Sequence, residues 1–172
     1  MDRVIRQGDW LVLLDPAWGI SQDPPPPEII VGGWMAEADG SAGPFQPNPR
    51  YRPSSDEMPT DPIDAVLRRI AGGEDQLGEK LLATVRDCVV AIGCDEDGRP
   101  LVGTSPDGVA CIVIATAELQ KSDIDVDRWV SVRGAELAGI APTGVDILIN
   151  PAGAAPFRLT SPIGEEDQQS YG

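Results

Sequence analysis

Apolar residues along this chain fall into short blocks divided by prolines, glycines and acids, and one stretch carries a helical repeat with a signal at each end. Asp61 is placed to cap a helix, Pro62 suits its first position, and Asp64 complements the positive end of its dipole. Ile63, Val66, Leu67 and Ile70 then recur at i, i+3, i+4 and i+7, which is a single helical face. Gly72 and Gly73 stop it. A second helix is expected from Glu74 to about Arg86, with Leu77, Leu81 and Val85 on one side.

The blocks that follow have the period of strands. Cys88–Ile92 runs into Asp95-Glu96-Asp97-Gly98, whose Asp-Gly pair signals a hairpin. Pro100–Thr104 forms the next block, then the turn Ser105-Pro106-Asp107-Gly108, then Val109–Thr116. That last block is apolar on both faces, which predicts a central strand covered on both sides. Trp129–Val132 and Val145–Ile149 read as further strands, Ala135–Ile140 as a short helix, and Phe157–Leu159 as a closing edge. The fold class expected is α+β, with a mixed, largely antiparallel sheet, two to three helices and an irregular N-terminal β extension.

Before Asp61 the pattern loosens. Trp10–Leu14 and Ile29–Val31 are short apolar runs bounded by breakers and predict two strands. Pro24–Pro27 imposes a polyproline II rod between them. Residues 37–60 form a long Pro-, Gly- and Ser-rich connection, of the kind that is functional or disordered when it occurs in a compact domain. Trp34, Phe45 and Tyr51 punctuate this region. Rings exposed together would invite aggregation, so the favoured arrangement folds them back, with at least one accessible at the margin of a partner-binding surface. The organisation read from the sequence is an N-terminal extension over 1–60, an α+β domain over 61–163 and an acidic tail over 164–172.

Composition narrows the partners. At 172 residues the chain is long enough for a core without staples, and 41% hydrophobic residues support one despite 17 prolines and 19 glycines. The net charge is −15, and both halves share in it: 14 acids and 8 bases in residues 1–86, 14 acids and 5 bases in residues 87–172. Such a surface repels phosphate backbones and anionic membranes, so neither nucleic acid nor membrane is an expected partner. A basic protein would be steered in. Cys88, Cys94 and Cys111 are odd in number and lack a metal-ligand spacing, which fits buried free thiols in a reducing compartment. The N-terminal apolar run Trp10–Leu14 is too short for a secretion signal, no stretch approaches the length of a membrane span, and a cytoplasmic location is expected.

Candidate chemistry dissolves on inspection. The sequence contains no histidine, which removes Ser–His and Cys–His pairs and histidine metal sites. Gly73 to Gly78 has the spacing of a phosphate loop, but Glu79 stands where the lysine is needed and a helix precedes it. Gly103-Thr104-Ser105 lacks the strand-turn-helix setting of a nucleophile elbow. Asp123, Asp125 and Asp127 resemble the start of a calcium loop, yet Arg128 replaces its glycine and Gly134 its closing Glu. The reading is a non-enzyme without metal or cofactor.

From Asp61 onward the order of features resembles the SseB-like N-terminal domain family. The resemblance rests on the helix pair, the β-meander with its Asp-Gly turn, the strand running into Ala115-Thr116-Ala117, and Val145-Asp146-Ile147-Leu148-Ile149-Asn150-Pro151. With Trp10–Pro16, Gly32-Gly33-Trp34, Pro47–Tyr51 and Asp61-Pro62, the whole chain is similar to proteins associated with type VII secretion in GC-rich Gram-positive bacteria. The resemblance implies a mixed α+β domain without cofactor or catalytic residues. Ala115 departs from it, because the broader family tends to place an aromatic there. The function expected is a non-catalytic interaction or adaptor protein, accessory to a type VII secretion system, whose partner is a secretion component or substrate. The alternative is an acidic immunity or inhibitor protein that covers a basic toxin.

Overall fold

The computed structural model describes residues 3–19 and 24–160. The helix predicted after Asp61 is present as α1, Pro62–Ala71. Asp61 is extended, and its side chain accepts from the backbone N–H groups of Ile63 and Asp64 at 2.9 and 3.0 Å. Gly73, at φ +106°, turns the chain out of the helix so that Glu74 N–H can return to the Arg69 carbonyl. Glu74 therefore finishes the first helix instead of starting the second. A 3₁₀ turn over Asp75–Leu77 intervenes, and α2 begins at Gly78 and runs to Arg86.

The main sheet comprises β5 (Val89–Cys94), β6 (Gly103–Thr104), β7 (Ala110–Ala115), β8 (Arg128–Arg133), β9 (Asp146–Ile149) and β10 (Phe157–Leu159). The order is β10-β9-β7-β5-β8, with β6 paired to β7. β7 lies at the centre, as its two-faced apolarity requires, and β10 closes one edge. Every pairing is antiparallel except β7–β9. Of the expected Pro100–Thr104 strand, Gly103 and Thr104 pair with Cys111 and Ala110, and Pro100 makes an isolated antiparallel bridge to Cys94. β5 and β7 pair directly at Ala91–Ala115 and Ile92–Ile114, so the acidic hairpin between them is an excursion beyond their shared end. After β8, a 3₁₀ turn over Gly134–Glu136 leads into α3, Leu137–Ile140. Val90, Ile92, Ile112, Ile114 and Ile149 join Ile63, Leu67 and Leu81 from the helices in one core.

The N-terminal region is more regular than its sequence predicts. It forms a four-stranded antiparallel sheet, β1 (Arg3–Gln7), β2 (Trp10–Leu14), β3 (Ile30–Met35) and β4 (Gln46–Pro47). Two of these strands were expected. β3 starts at Ile30 because Pro27–Ile29 form a 3₁₀ turn, and it continues through Gly32 and Gly33 to Met35. Glycine is required at 32: a Cβ there would lie 2.3 Å from the Gln46 carbonyl oxygen and 2.5 Å from the Phe45 ring.

This sheet is stitched to the main one at Phe45. Its N–H donates to the Asp87 carbonyl at 2.8 Å, and its carbonyl accepts from Val89 N–H at 2.7 Å, forming a parallel bridge alongside β5. Val31, Phe45 and Tyr51 belong to the same hydrophobic cluster as the α1 and β5 residues, so the core runs across position 60. The expected tail over 164–172 lies outside the described residues. Among the described residues no helix is long and apolar enough to cross a membrane.

Candidate interaction surface

The three rings singled out in the sequence divide into two structural anchors and one margin residue. Phe45 is 2% exposed and Tyr51 4% exposed, both folded back into the core. Tyr51 is fixed by its hydroxyl, which donates to Asp15 at 2.9 Å at the end of β2. The same carboxylate accepts from Ala17 N–H, Ser54 N–H and Ser54 Oγ, so one buried acid gathers three segments of irregular chain. Burial pushes the Asp15 carboxyl up, but these donors together outweigh it and hold it below its ordinary value. The Tyr51 phenol is driven strongly upward by burial and by its acidic partner. Asn48 ties the loop to the preceding turn, donating at 2.8 Å to the Pro27 and Ile30 carbonyls.

Trp34 is different. It sits half-buried near the end of β3, edge-on to the Phe45 ring with centroids 4.9 Å apart. Its outer side forms one wall of a cleft of about 530 Å3. The Ser41–Pro44 loop, Arg86 at the end of α2 and Arg133 at the end of β8 line it as well. Both arginines are exposed. Neither makes an ion pair within 4 Å among the described residues. Gly134 is what brings Arg133 here, because the chain passes against the end of α2 where a Cβ would lie 1.7 Å from the Val85 carbonyl oxygen.

Beside the cleft, α2, α3 and the β9–β10 edge enclose an apolar groove of about 260 Å3, lined by Leu82, Val85, Leu137, Ala138, Val145 and Leu159. Leu82 is 41% exposed there. A shallower groove of about 270 Å3 lies on the other face of the sheet, floored by Ala91, Ala115 and Ser131 in cross-strand register. Lys121 rims it, paired with Glu118 at 2.7 Å and 5.9 Å from the centre of the Trp129 ring.

The densest buried polar cluster is committed to architecture. Asp61 accepts from the Thr60 and Thr116 hydroxyls at 2.7 and 2.6 Å, in addition to its two helix-capping bonds. Asn150, at φ +49°, accepts from Thr116 N–H at 3.0 Å and donates to its hydroxyl at 2.8 Å. Gln120 closes the cluster by donating to Thr60 at 2.9 Å. Burial raises the Asp61 carboxyl, opposed by these hydroxyl and amide donors. Those four acceptor bonds hold the acid in place at 3% exposure.

Asp123, Asp125 and Asp127 are exposed, alternating with half-buried Ile124 and Val126, as an extended segment with carboxylates in water should be. Cys88, Cys94 and Cys111 are buried and free, and burial pushes the Cys88 thiol up to about 12. No family model matches the chain, and neither a curated protein nor a solved structure matches it.

The sequence singled out Trp34 but neither arginine that lines the cleft with it. Each arginine ends its own element, and nothing local in the sequence says that the end of α2 and the end of β8 meet.

Proposed function

We propose that this chain is a non-catalytic protein-interaction module that meets its partner at the cleft beside Trp34. The carrying observation is the sorting of the rings: Phe45 and Tyr51 fasten the N-terminal sheet, while Trp34 stands half-buried in a cleft that two arginines also line. Tryptophan and arginine around a recess are the residue types that dominate binding energy at protein interfaces. The SseB-like resemblance of residues 61–163 and the wider resemblance to type VII secretion-associated proteins support reading this module as a cytoplasmic accessory to that system. Its partner is then a secretion component or substrate.

A net charge of −15 favours a second reading, an inhibitor whose acidic face covers a basic toxin. Affinity capture from the native cytosol with the wild-type chain and Trp34→Ala separates them. Secretion-locus proteins lost with Trp34→Ala support the module. A basic nuclease-like protein retained by Trp34→Ala and released by salt supports the inhibitor. Capture of neither overturns both.

A further inference from the structure

The cleft beside Trp34 and the apolar groove between α2 and α3 form one surface, because Arg86 and Ala135 line both. With 28 acids against 13 bases, a basic side chain here has acidic company to choose from. Six of the thirteen basic residues, Arg50, Arg68, Arg69, Arg99, Lys121 and Arg158, sit in ion pairs. Arg86 and Arg133 belong to the seven that make none within 4 Å among the described residues, although Glu37 and Asp87 line the same cleft. Glu37 is turned toward the loop, where a Cβ on Gly43 would stand 3.0 Å from its Oε1. Two exposed guanidinium groups without an ion pair thus stand at the junction of an aromatic wall and an apolar groove.

We propose that this surface binds an acidic amphipathic peptide segment of a partner protein. Its carboxylates meet Arg86 and Arg133, whose planar forks suit them. Its apolar side chains enter the groove between Leu82, Ala138 and Leu159, as an amphipathic segment does when it lies between helices. The occupant follows from charge complementarity: a basic segment would face two unpaired arginines, and a purely apolar one would bury them without partners. This inference rests on the interaction-module reading and names the chemistry of its partner.

The remainder of the surface sets how such a segment arrives. A chain of −15 repels an acidic peptide at long range. Salt at physiological strength screens that repulsion beyond roughly 8 Å and leaves contact pairs largely intact. Affinity should therefore hold or rise between low and physiological salt, whereas a basic partner would be weakened.

The experiment is selection of a random peptide library, displayed on phage, against the full chain. Binding of the enriched peptides is then measured by fluorescence anisotropy. Enriched sequences should place Asp or Glu beside Leu, Ile or Phe. Arg86→Glu with Arg133→Glu should weaken them by about tenfold or more, the scale of charge-assisted hydrogen bonds, and Leu82→Glu should weaken them as well. Lys80→Glu makes a similar charge change on the outer side of α2 and should leave binding unchanged. All these positions are exposed, and unaltered melting by circular dichroism checks that each variant folds. Enrichment of basic peptides, no enrichment, or binding indifferent to the arginine and Leu82 variants overturns the inference. If partner capture is still lost with Trp34→Ala in any of those cases, the module reading stands and only the acidic-peptide assignment fails.

Discussion

The Thr116 hydroxyl donates to the Asp61 carboxylate at 2.6 Å, fastening the end of the central strand to the first turn of α1. The bond joins residues far apart in sequence and completes the set of four that Asp61 accepts. Asp61→Ala removes a helix cap and leaves the Thr60 and Thr116 hydroxyls short of an acceptor. It should cost about 3 kcal/mol, combining a cap of about 1 kcal/mol with orphaned buried groups. Asp61→Asn keeps an acceptor oxygen for the cap and should cost less. Urea denaturation measures both, and an unchanged midpoint for the alanine variant would show that this clasp does not hold the fold.

Tyr51→Phe should expose the acid sensitivity of the other buried carboxylate. Asp15 is held below its ordinary value in the folded state, so its contribution to stability is complete above about pH 4 and is lost as pH falls through the folded value. Removing the Tyr51 donor raises that folded value. The variant should lose about 1 kcal/mol at neutral pH, and the low-pH limb of its unfolding curve should shift upward. Melting followed from pH 7 to pH 3 is the check, and a limb that does not move would detach Tyr51 from Asp15.

Phe45 and Trp34 touch each other yet should respond differently to truncation. Phe45→Ala empties the seam between the sheets and should destabilise by about 4 kcal/mol. Trp34→Ala removes a ring that already meets water on one side, and its cost should be clearly smaller. Thermal melts compare the two directly. Equal losses would make Trp34 a core residue and remove it from the proposed contact surface.

Gly134→Ala should be among the most damaging single-methyl additions in the chain. The new carbon would fall 1.7 Å from the Val85 carbonyl oxygen and 2.6 Å from its carbon, both backbone atoms at the end of α2. Relief requires moving the helix end or the start of the following turn, at about 3 kcal/mol or more. A soluble variant with wild-type stability would contradict this packing.

The three thiols should resist modification in the native protein. All are buried, and the high proton affinity of Cys88 keeps it from forming the reactive thiolate. A disulfide-exchange reagent at mildly alkaline pH should label at most one cysteine in the native state and all three in denaturant. Rapid labelling of three would show that β5 and β7 open readily.

Much of residues 61–160 was legible because its signals are local. Asp61, Pro62 and the Ile63–Ile70 periodicity specify α1, and the uninterrupted apolar run specifies β7. The parallel alignment of β9 beside β7 was not legible, since strand pairing is decided by which elements the helices bring together. β1 escaped notice because Arg3-Val-Ile-Arg-Gln is mostly polar, as an edge with exposed Val4 can afford to be. β4 is two residues long and owes its existence to the Phe45 seam, which no local pattern announces. The site was half legible: an aromatic among prolines and glycines invites attention, whereas an unpaired arginine looks in sequence like any other.

The Phe45 seam also decides when this protein can finish folding. The chain is made from its N-terminus, so Val31 and Phe45 leave the ribosome well before Cys88 and Val90 exist to cover them. β1, β2 and β3 are hairpin neighbours and can pair at once, but their apolar side and the strand edge at Phe45 stay open until the centre of the chain arrives. Open edges and uncovered apolar faces are what aggregate during synthesis. The nascent chain, with the first sheet made and the second still missing, is therefore the form of this protein most dependent on a chaperone.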